Sequence, residues 1–252
     1  MRLSIVIPAL NEAERLPATL AVLRAFLRQR GEPAEILVVD DGSTDGTADL
    51  ARAVLAGEGR VVSHAVRRGK GAAVRTGVAA ARGEWILVTD ADLSIPIVEL
   101  DKLEAASADA PIVIGSKRLG GGDLRYPLLR RLGSAVGQLC IRALVVRGFA
   151  DTQCGFKLFR ADVARVLTAH QRLRGFGYDF ELLFLARRAG LPVREVPVAC
   201  RHRPGSSVRV SAYAETLREA LAVAWLRLRG AYPSRSELHA ALHAAHAPVA
   251  AR

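Results

Sequence analysis

What is scarce in this chain narrows its class before any motif is read. Cysteine is scarce: three residues among 252, at Cys140, Cys154 and Cys200. They are odd in number and have neither metal-ligand spacing nor a disulfide framework, so a reducing compartment is expected. Long apolar runs are absent: no window reaches the roughly 18 uninterrupted apolar residues of a membrane span. The apolar start, Leu3 to Ile7, is far too short for a signal peptide. The expectation is therefore a cytoplasmic protein, peripheral on the inner face of the membrane, with no spanning segment. Aromatics are only 5% and are not interleaved with basic residues in the manner that stacks bases, which argues against nucleic acid. Acid is short as well. Lys and Arg number 36 against 25 Asp and Glu, a formal charge of +11. That excess favours an anionic partner, either an anionic membrane surface or a phosphorylated substrate.

Apolar residues, by contrast, make up half of the chain, enough for one large α/β core. Short β-branched runs alternate with helical periods. Leu3 to Ile7, Ile36 to Val39, a weaker Val61-Val62, Trp85 to Val88 and Ile112 to Ile114 read as buried strands. Between them, Leu16, Leu20, Leu23 and Leu27 recur at helical spacing until Gly31 and Pro33 stop the helix. Further helices are expected from Ala48 to Leu55, from Gly71 to about Ala81 and from Ile97 to Ser107. This alternation predicts a mostly parallel, doubly wound sheet with flanking helices. Ligands of such sheets bind beyond the carboxyl ends of the strands.

Four expected strand ends carry the polar residues: Asn11-Glu12, Asp40-Asp41, Asp90-Ala91-Asp92 and Lys117-Arg118. Asp90 and Asp92 are the most pointed of these, two carboxylates one residue apart where a core strand empties into a loop. Unpaired carboxylates buried there would cost several kcal/mol. A positive charge should meet them, and a hard divalent cation suits oxygen ligands. Three acidic loops and one basic loop at one edge suggest a phosphate-bearing ligand bridged by metal. A solvated turn rich in Asp is the simpler alternative.

From Gly120 the composition shifts. Arg125, Arg130, Arg131, Arg142 and Arg147 face a single acid, Asp123, and Leu128, Leu129, Leu132, Val136, Leu139 and Leu144 complete a basic amphipathic helix over 123–150. It is either a core helix with a solvated face or a surface helix on anionic lipid. A polar loop follows at 151–157, a helix opens near Tyr178 with Asp179 and Glu181 in or near its first turn, and Val193 to Ala199 reads as a strand. A basic loop covers 201–207. Leu217, Leu221, Trp225 and Leu228 stripe a last helix whose other face keeps Arg218, Arg227 and Arg229. In the Ala- and His-rich tail, His239, His243 and His246 read as a helix face or frayed end and not as a metal site.

Taken in order, Ile5-Val6-Ile7-Pro8-Ala9-Leu10-Asn11-Glu12, Val38-Val39-Asp40-Asp41-Gly42-Ser43-Thr44-Asp45, Arg68-Gly69-Lys70-Gly71 and Asp90-Ala91-Asp92 resemble the family-2 glycosyltransferases of GT-A fold. Asp151-Thr152-Gln153-Cys154-Gly155-Phe156-Lys157-Leu158-Phe159 and Phe180-Glu181-Leu182-Leu183 look like the dolichyl- or polyprenyl-phosphate β-glucosyltransferase branch, close to the dolichyl-phosphate mannose synthases. The resemblance covers residues 1–230. It implies one GT-A domain, with a nucleotide-sugar half over 1–119 and an acceptor half over 120–230. Residues 231–252 are expected to form a flexible tail.

The resemblance further implies a nucleotide-sugar donor, a divalent cation (Mg2+ or Mn2+) and a polyprenyl phosphate acceptor. On this pattern Pro8, Asn11, Glu12, Asp40 and Asp41 hold the nucleoside. Lys70, Asp90 and Ala91 belong to the same donor site. Asp92, Asp90 and Ser94 hold the metal; mannose synthases often place Gln where Ser94 stands, so water would complete the coordination. Asp92, Asp90, Lys117 and Arg118 are the catalytic candidates, although relatives read Gly-Ser-Arg where this chain reads Gly115-Ser116-Lys117-Arg118. Arg130, Arg131, Arg201 and Arg203 are the candidate clamps for the acceptor phosphate, in bidentate geometry. The implied reaction is transfer of a hexose, glucose from UDP-glucose, with inversion. A soluble acceptor such as a phosphoglycerate or a sugar is the alternative, and Asp151 or Asp179 could then serve as base. A non-catalytic protein that docks on membranes is the third reading.

Overall fold

A computed structural model describes residues 2–120, 137–200 and 211–246. Its strands are β1 (Leu3–Ala9), β2 (Ala34–Asp40), β3 (Gly59–Ser63), β4 (Trp85–Val88), β5 (Ile112–Ser116), β6 (Lys157–Arg160) and β7 (Val193–Pro197). They form one sheet in the order β3-β2-β1-β4-β6-β5-β7. β6 alone runs antiparallel, between β4 and β5. The helices are α1 (Leu16–Arg30), α2 (Thr47–Leu55), α3 (Lys70–Ala80), α4 (Leu100–Ala106), α5 (described over 137–144), α6 (Ala161–His170), α7 (Tyr178–Arg188), α8 (Ser211–Leu228) and α9 (Arg235–His246).

Alternation along the central strands builds a core on each face of the sheet. Ile5, Ile7, Ile36 and Val38 pack with Leu16, Leu20 and Leu23 of α1 and Leu55 of α2. Val6, Leu37 and Val39 turn the other way, onto Val74 and Val78 of α3 and the residues of α6 and α7. α1 stops where Gly31 turns left-handed at φ 66° and returns its N–H to the Leu27 carbonyl.

Glu35 ties the amino end of this sheet together. Its carboxylate accepts hydrogen bonds from Ser4 Oγ at 2.6 Å, the Arg82 N–H at 2.7 Å and Arg60 Nη2 at 2.8 Å. Desolvation pushes the carboxyl up, but these donors outweigh it and hold it below the usual carboxylate range. A lowered folded pKa adds stability above the unfolded value near ~4.3, lost as pH falls through the folded pKa. Glu35→Gln should therefore cost about 1–3 kcal/mol at pH 7, with the deficit shrinking on acidification. Urea melts of both proteins at pH 7 and pH 3 check this; an equal deficit at the two pH values would count against it.

Four differences from the sequence expectation bear on function. β6 and α6 occupy the stretch after the expected polar loop, where the sequence predicts no strand or helix, and β6 begins on Lys157, a residue expected in that loop. The expected helix over 123–150 falls partly outside the described residues, and its described part ends at residue 144. It buries Ile141 and leaves Leu139 outside, because Ile141 packs with Val145 and Phe149 under α7. The segment expected as a flexible tail carries α9, whose Leu238 is buried against Val166 and Ala189. His239 Nε2 also meets the Ala189 carbonyl at 2.7 Å, and His246 Nδ1 meets Asp162 at 2.9 Å. Finally, α8 turns Thr216, Glu219, Ala220 and Val223 inward and its Leu-Trp stripe outward. Small Ala220 lets the helix pack closely, and Glu219 is needed inside to accept the Gly177 N–H at 2.6 Å.

Candidate active site

The parallel strands all point their carboxyl ends to one edge, and the loops named above meet there. The first two are stitched together. Asn11, at φ 53°, donates its N–H to Ser43 Oγ at 2.9 Å and accepts the Thr44 N–H at 3.0 Å. Glu12 donates its N–H to Thr47 Oγ1 at 2.8 Å, and Ala13 to Asp45 at 3.0 Å. Pro8 sits buried in β1, in register with Val39.

Asp40 and Asp41 are both buried. Asp40 accepts the Ser43 N–H at 3.2 Å. Asp41 meets His64 Nδ1 at 2.7 Å, the Arg68 N–H at 2.9 Å and the Gly69 N–H at 2.7 Å. The far nitrogen of His64 meets Thr76 Oγ1 at 2.9 Å. Asp41 thus pins the segment entering α3. Gly69, at φ 103°, lies so close to the Arg174 carbonyl that a Cβ would overlap it. The outcome of this pinning is the position of Lys70.

Lys70 reaches across to Asp90 Oδ1 at 2.6 Å. Its ammonium also lies 5.7 Å from the Phe176 ring centre and 5.9 Å from that of Tyr178. Desolvation is the largest influence on Asp90 and opposes its charge, yet Lys70, Lys117 and Lys157 together hold the carboxyl below its usual range. Asp92 accepts the Ser94 N–H at 2.9 Å in a tight turn with Leu93 at φ 46°. Ala91 is buried between them, and its carbonyl accepts Thr19 Oγ1 at 2.7 Å. Glu12 completes the acidic side. Burial pushes its carboxyl up, Arg15 pulls it down, and Asp92 and Asp90 push it up again. The three carboxylates feel one another.

β6 feeds the basic side from the opposite direction. Because it is antiparallel, its first residue, Lys157, lies beside Val88 and Ile114 at the carboxyl edge. The Lys157 ammonium is buried between Asp179 and the Cys154 carbonyl. Lys117 donates its N–H to Asp151 at 3.2 Å, and its ammonium lies 3.9 Å from the same carboxylate. Arg118 is exposed on the turn that follows. Asp151 is itself seated by Glu195, which accepts the Ala150 and Asp151 N–H groups at 2.8 and 2.7 Å. Gly155 packs so tightly under Asp90 that a Cβ would overlap its carboxylate. Burial pushes the Cys154 thiol up to about 12, too high for a nucleophile at neutral pH. Asp90, Asp92, Ser94, Glu12 and Lys117 therefore gather at one edge with Lys70. Gly155 and Lys157, which the sequence offers only within the motif from Asp151 to Phe159 and with no role there, join them, as does His64, which lies in none of the sequence motifs. Arg130, Arg131, Arg201 and Arg203 lie outside the described residues.

These residues fit a hard divalent cation. Carboxylate oxygens are the right donors, and Asp90 and Asp92 bring them to one strand end, with Glu12, paired to Arg15 at 2.8 Å, on the neighbouring loop. Among the described residues no three His, Cys, Asp or Glu side chains form a ready-made metal cluster, so diphosphate oxygens or water would supply the remaining ligands.

A mixed sheet of this order, with acid and lysine converging at its carboxyl edge, is the architecture of a GT-A transferase. Mannosyl-3-phosphoglycerate synthase from Rubrobacter xylanophilus superposes with a TM-score of 0.71 at 18% identity, over 94% of this chain and 78% of that one. Glucosyl-3-phosphoglycerate synthase from Mycobacterium tuberculosis, solved with Mn2+ and UDP-glucose, gives 0.65 at 23% identity over 92% and 80%. The sequence model for Glycosyl transferase family 2 matches residues 4–167. The chain belongs to glycosyltransferase family 2 and is a hexosyl-transferring enzyme. It is 36% identical over 226 residues to a dolichyl-phosphate beta-glucosyltransferase of Drosophila melanogaster, covering 82% of this chain and 69% of that protein. It is 33% identical over 242 residues to an undecaprenyl-phosphate mannosyltransferase of Micrococcus luteus, covering 91% and 98%.

Proposed function

We propose that this enzyme transfers glucose from UDP-glucose to a polyprenyl phosphate, with inversion. The observation that carries the reading is Lys70 held 2.6 Å from Asp90 at the strand end that also bears the Asp92 turn, with the Lys117 ammonium 3.9 Å from Asp151 beside it. Relatives named for glucosyl transfer to dolichyl phosphate, at 32–36% identity over most of the chain, support the donor sugar and the acceptor.

In the proposed step an oxygen of the acceptor phosphate attacks C1 of the hexose. The C1–O bond to the diphosphate breaks, and its electron pair leaves with the nucleoside diphosphate. Attack from the face opposite the leaving group turns an α-linked donor into a β-linked product. A phosphate monoester, with its second pKa near ~6, is already largely ionised at pH 7, so the acceptor needs orientation more than a base. Asp92 and Asp90, with Ser94 beside them, would hold a divalent cation that neutralises the leaving diphosphate when bound. Lys70 fixes Asp90 in place, and Lys117 adds positive charge beside it. The loops joined through Asn11 and Ser43 would receive the nucleoside, on a floor made by Asp40 and Asp41. Buried Lys157 pairs with buried Asp179 beneath this edge.

Purified protein given radiolabelled UDP-glucose, Mg2+ or Mn2+, and either a prenyl phosphate or 3-phosphoglycerate tests the proposal. The expected result is label in the organic phase, β-linked, with the prenyl phosphate alone. Label passing only to phosphoglycerate would overturn the acceptor. No helix among the described residues is long and apolar enough to cross a membrane.

A further inference from the structure

Among the described residues, the face of α8 left uncovered is its most apolar one. Leu217, Leu221, Trp225 and Leu228 are 41%, 52%, 51% and 85% exposed. At 3.6 residues per turn they share an arc of roughly 80°. Arg218, Arg227 and Arg229 are exposed around them, and the Arg229 guanidinium lies 4.1 Å over the Trp225 ring. Neither acid of the helix joins this face: Glu219 is buried and Glu215 half-buried. Large apolar side chains along one stripe, a tryptophan among them and arginine at the borders, have the pattern of a helix that lies in a lipid interface.

The opposite face of α8 borders the site. Glu219 accepts the Gly177 N–H at 2.6 Å. The Gly175 carbonyl accepts the Gly71 N–H at 3.2 Å, in the first turn of α3. Between those two glycines, Phe176 is 40% exposed and stands over Lys70. One helix thus separates an exposed apolar stripe from the rim that carries Lys70.

We propose that α8 docks the enzyme on an anionic bilayer. Leu217, Leu221, Trp225 and Leu228 enter the boundary between headgroups and acyl chains, and the arginines lie at the level of the lipid phosphates. The rim at Phe176 and Lys70 is thereby held at the membrane surface. A second copy of this chain fits the face less well. A two-fold contact pairs a patch with itself, and would set these arginines against one another without an acid between them. The purpose assigned to docking rests on the lipid-phosphate acceptor proposed above, whereas the docking itself needs neither donor nor acceptor.

Flotation with vesicles of phosphatidylcholine containing about a third phosphatidylglycerol tests the proposal. The full chain should float with them, its tryptophan emission should shift to the blue, and high salt should weaken binding. Leu221→Ser/Leu228→Ser keeps Trp225 as reporter and should bind at least ~10-fold more weakly. Its melting temperature and its transfer to a short, water-soluble prenyl phosphate should be unchanged. Vesicle binding equal to wild type in that variant would overturn the proposal. So would a wild-type dimer that the variant dissociates with no change in vesicle binding. Docking without transfer to any prenyl phosphate would instead sink the proposed reaction and leave the docking face standing.

Discussion

Asp92→Asn is expected to lower turnover at least ~10³-fold, equivalent to about 4 kcal/mol of barrier, while the fold survives. The size follows from what the side chain is asked to do. Bond cleavage leaves negative charge on the diphosphate, and stabilising that charge with a cation contributes several kcal/mol. Asparagine removes the anionic oxygen that would bind the cation but keeps an acceptor for the Ser94 N–H, the 2.9 Å bond that shapes the turn. Circular dichroism and the melting temperature should match wild type. Turnover of the variant within tenfold of wild type would remove Asp92 from the chemistry.

Gly155→Ala is expected to cost about 10²-fold in turnover, although its side chain would touch no substrate. The Cβ has no room: it would overlap the Asp90 carboxylate. Asp90 must then leave Lys70, whose ammonium now holds it at 2.6 Å. The loss should vanish where Asp90 is already gone. Gly155→Ala/Asp90→Ala should be no slower than Asp90→Ala, the signature of two residues acting through one group. Additive losses in the double variant would show that Gly155 acts elsewhere, for example through the backbone of β6.

Much of this site can be read from residues near one another in sequence. The strands that deliver Glu12, Asp41, Asp90 and Lys117 are apolar runs ending in charge, and that junction marks the carboxyl edge of a parallel sheet. β6 escapes the same reading. It is four residues long, Lys-Leu-Phe-Arg, and starts on a buried lysine whose burial makes sense only beside Asp179. Its pairing of Lys157 with Val88 and Ile114 is non-local, and periodicity carries no trace of it. The role of Gly155 is hidden for the same reason, since the carboxylate it accommodates comes from another loop. On α8 a helical stripe was legible, but its direction was not. Periodicity places four large apolar residues on one face, while the buried face is chosen by Ala220 and Val223 and by Glu219 meeting Gly177. α9 shows the converse, a weakly patterned Ala-His segment anchored by buried Leu238, with Leu242 packed beside it, and by two histidine contacts.

Acidic strand ends that grip a cation bearing the donor diphosphate are the centre of this account, and calorimetric titration of UDP-glucose, with and without Mn2+, tests them most directly. Wild type should bind the donor at least ~10-fold more tightly with the cation, a difference of about 1.4 kcal/mol, and Asp92→Asn should bind it equally weakly either way. A wild type indifferent to Mn2+, or an Asp92→Asn variant that keeps the full cation effect, would contradict it.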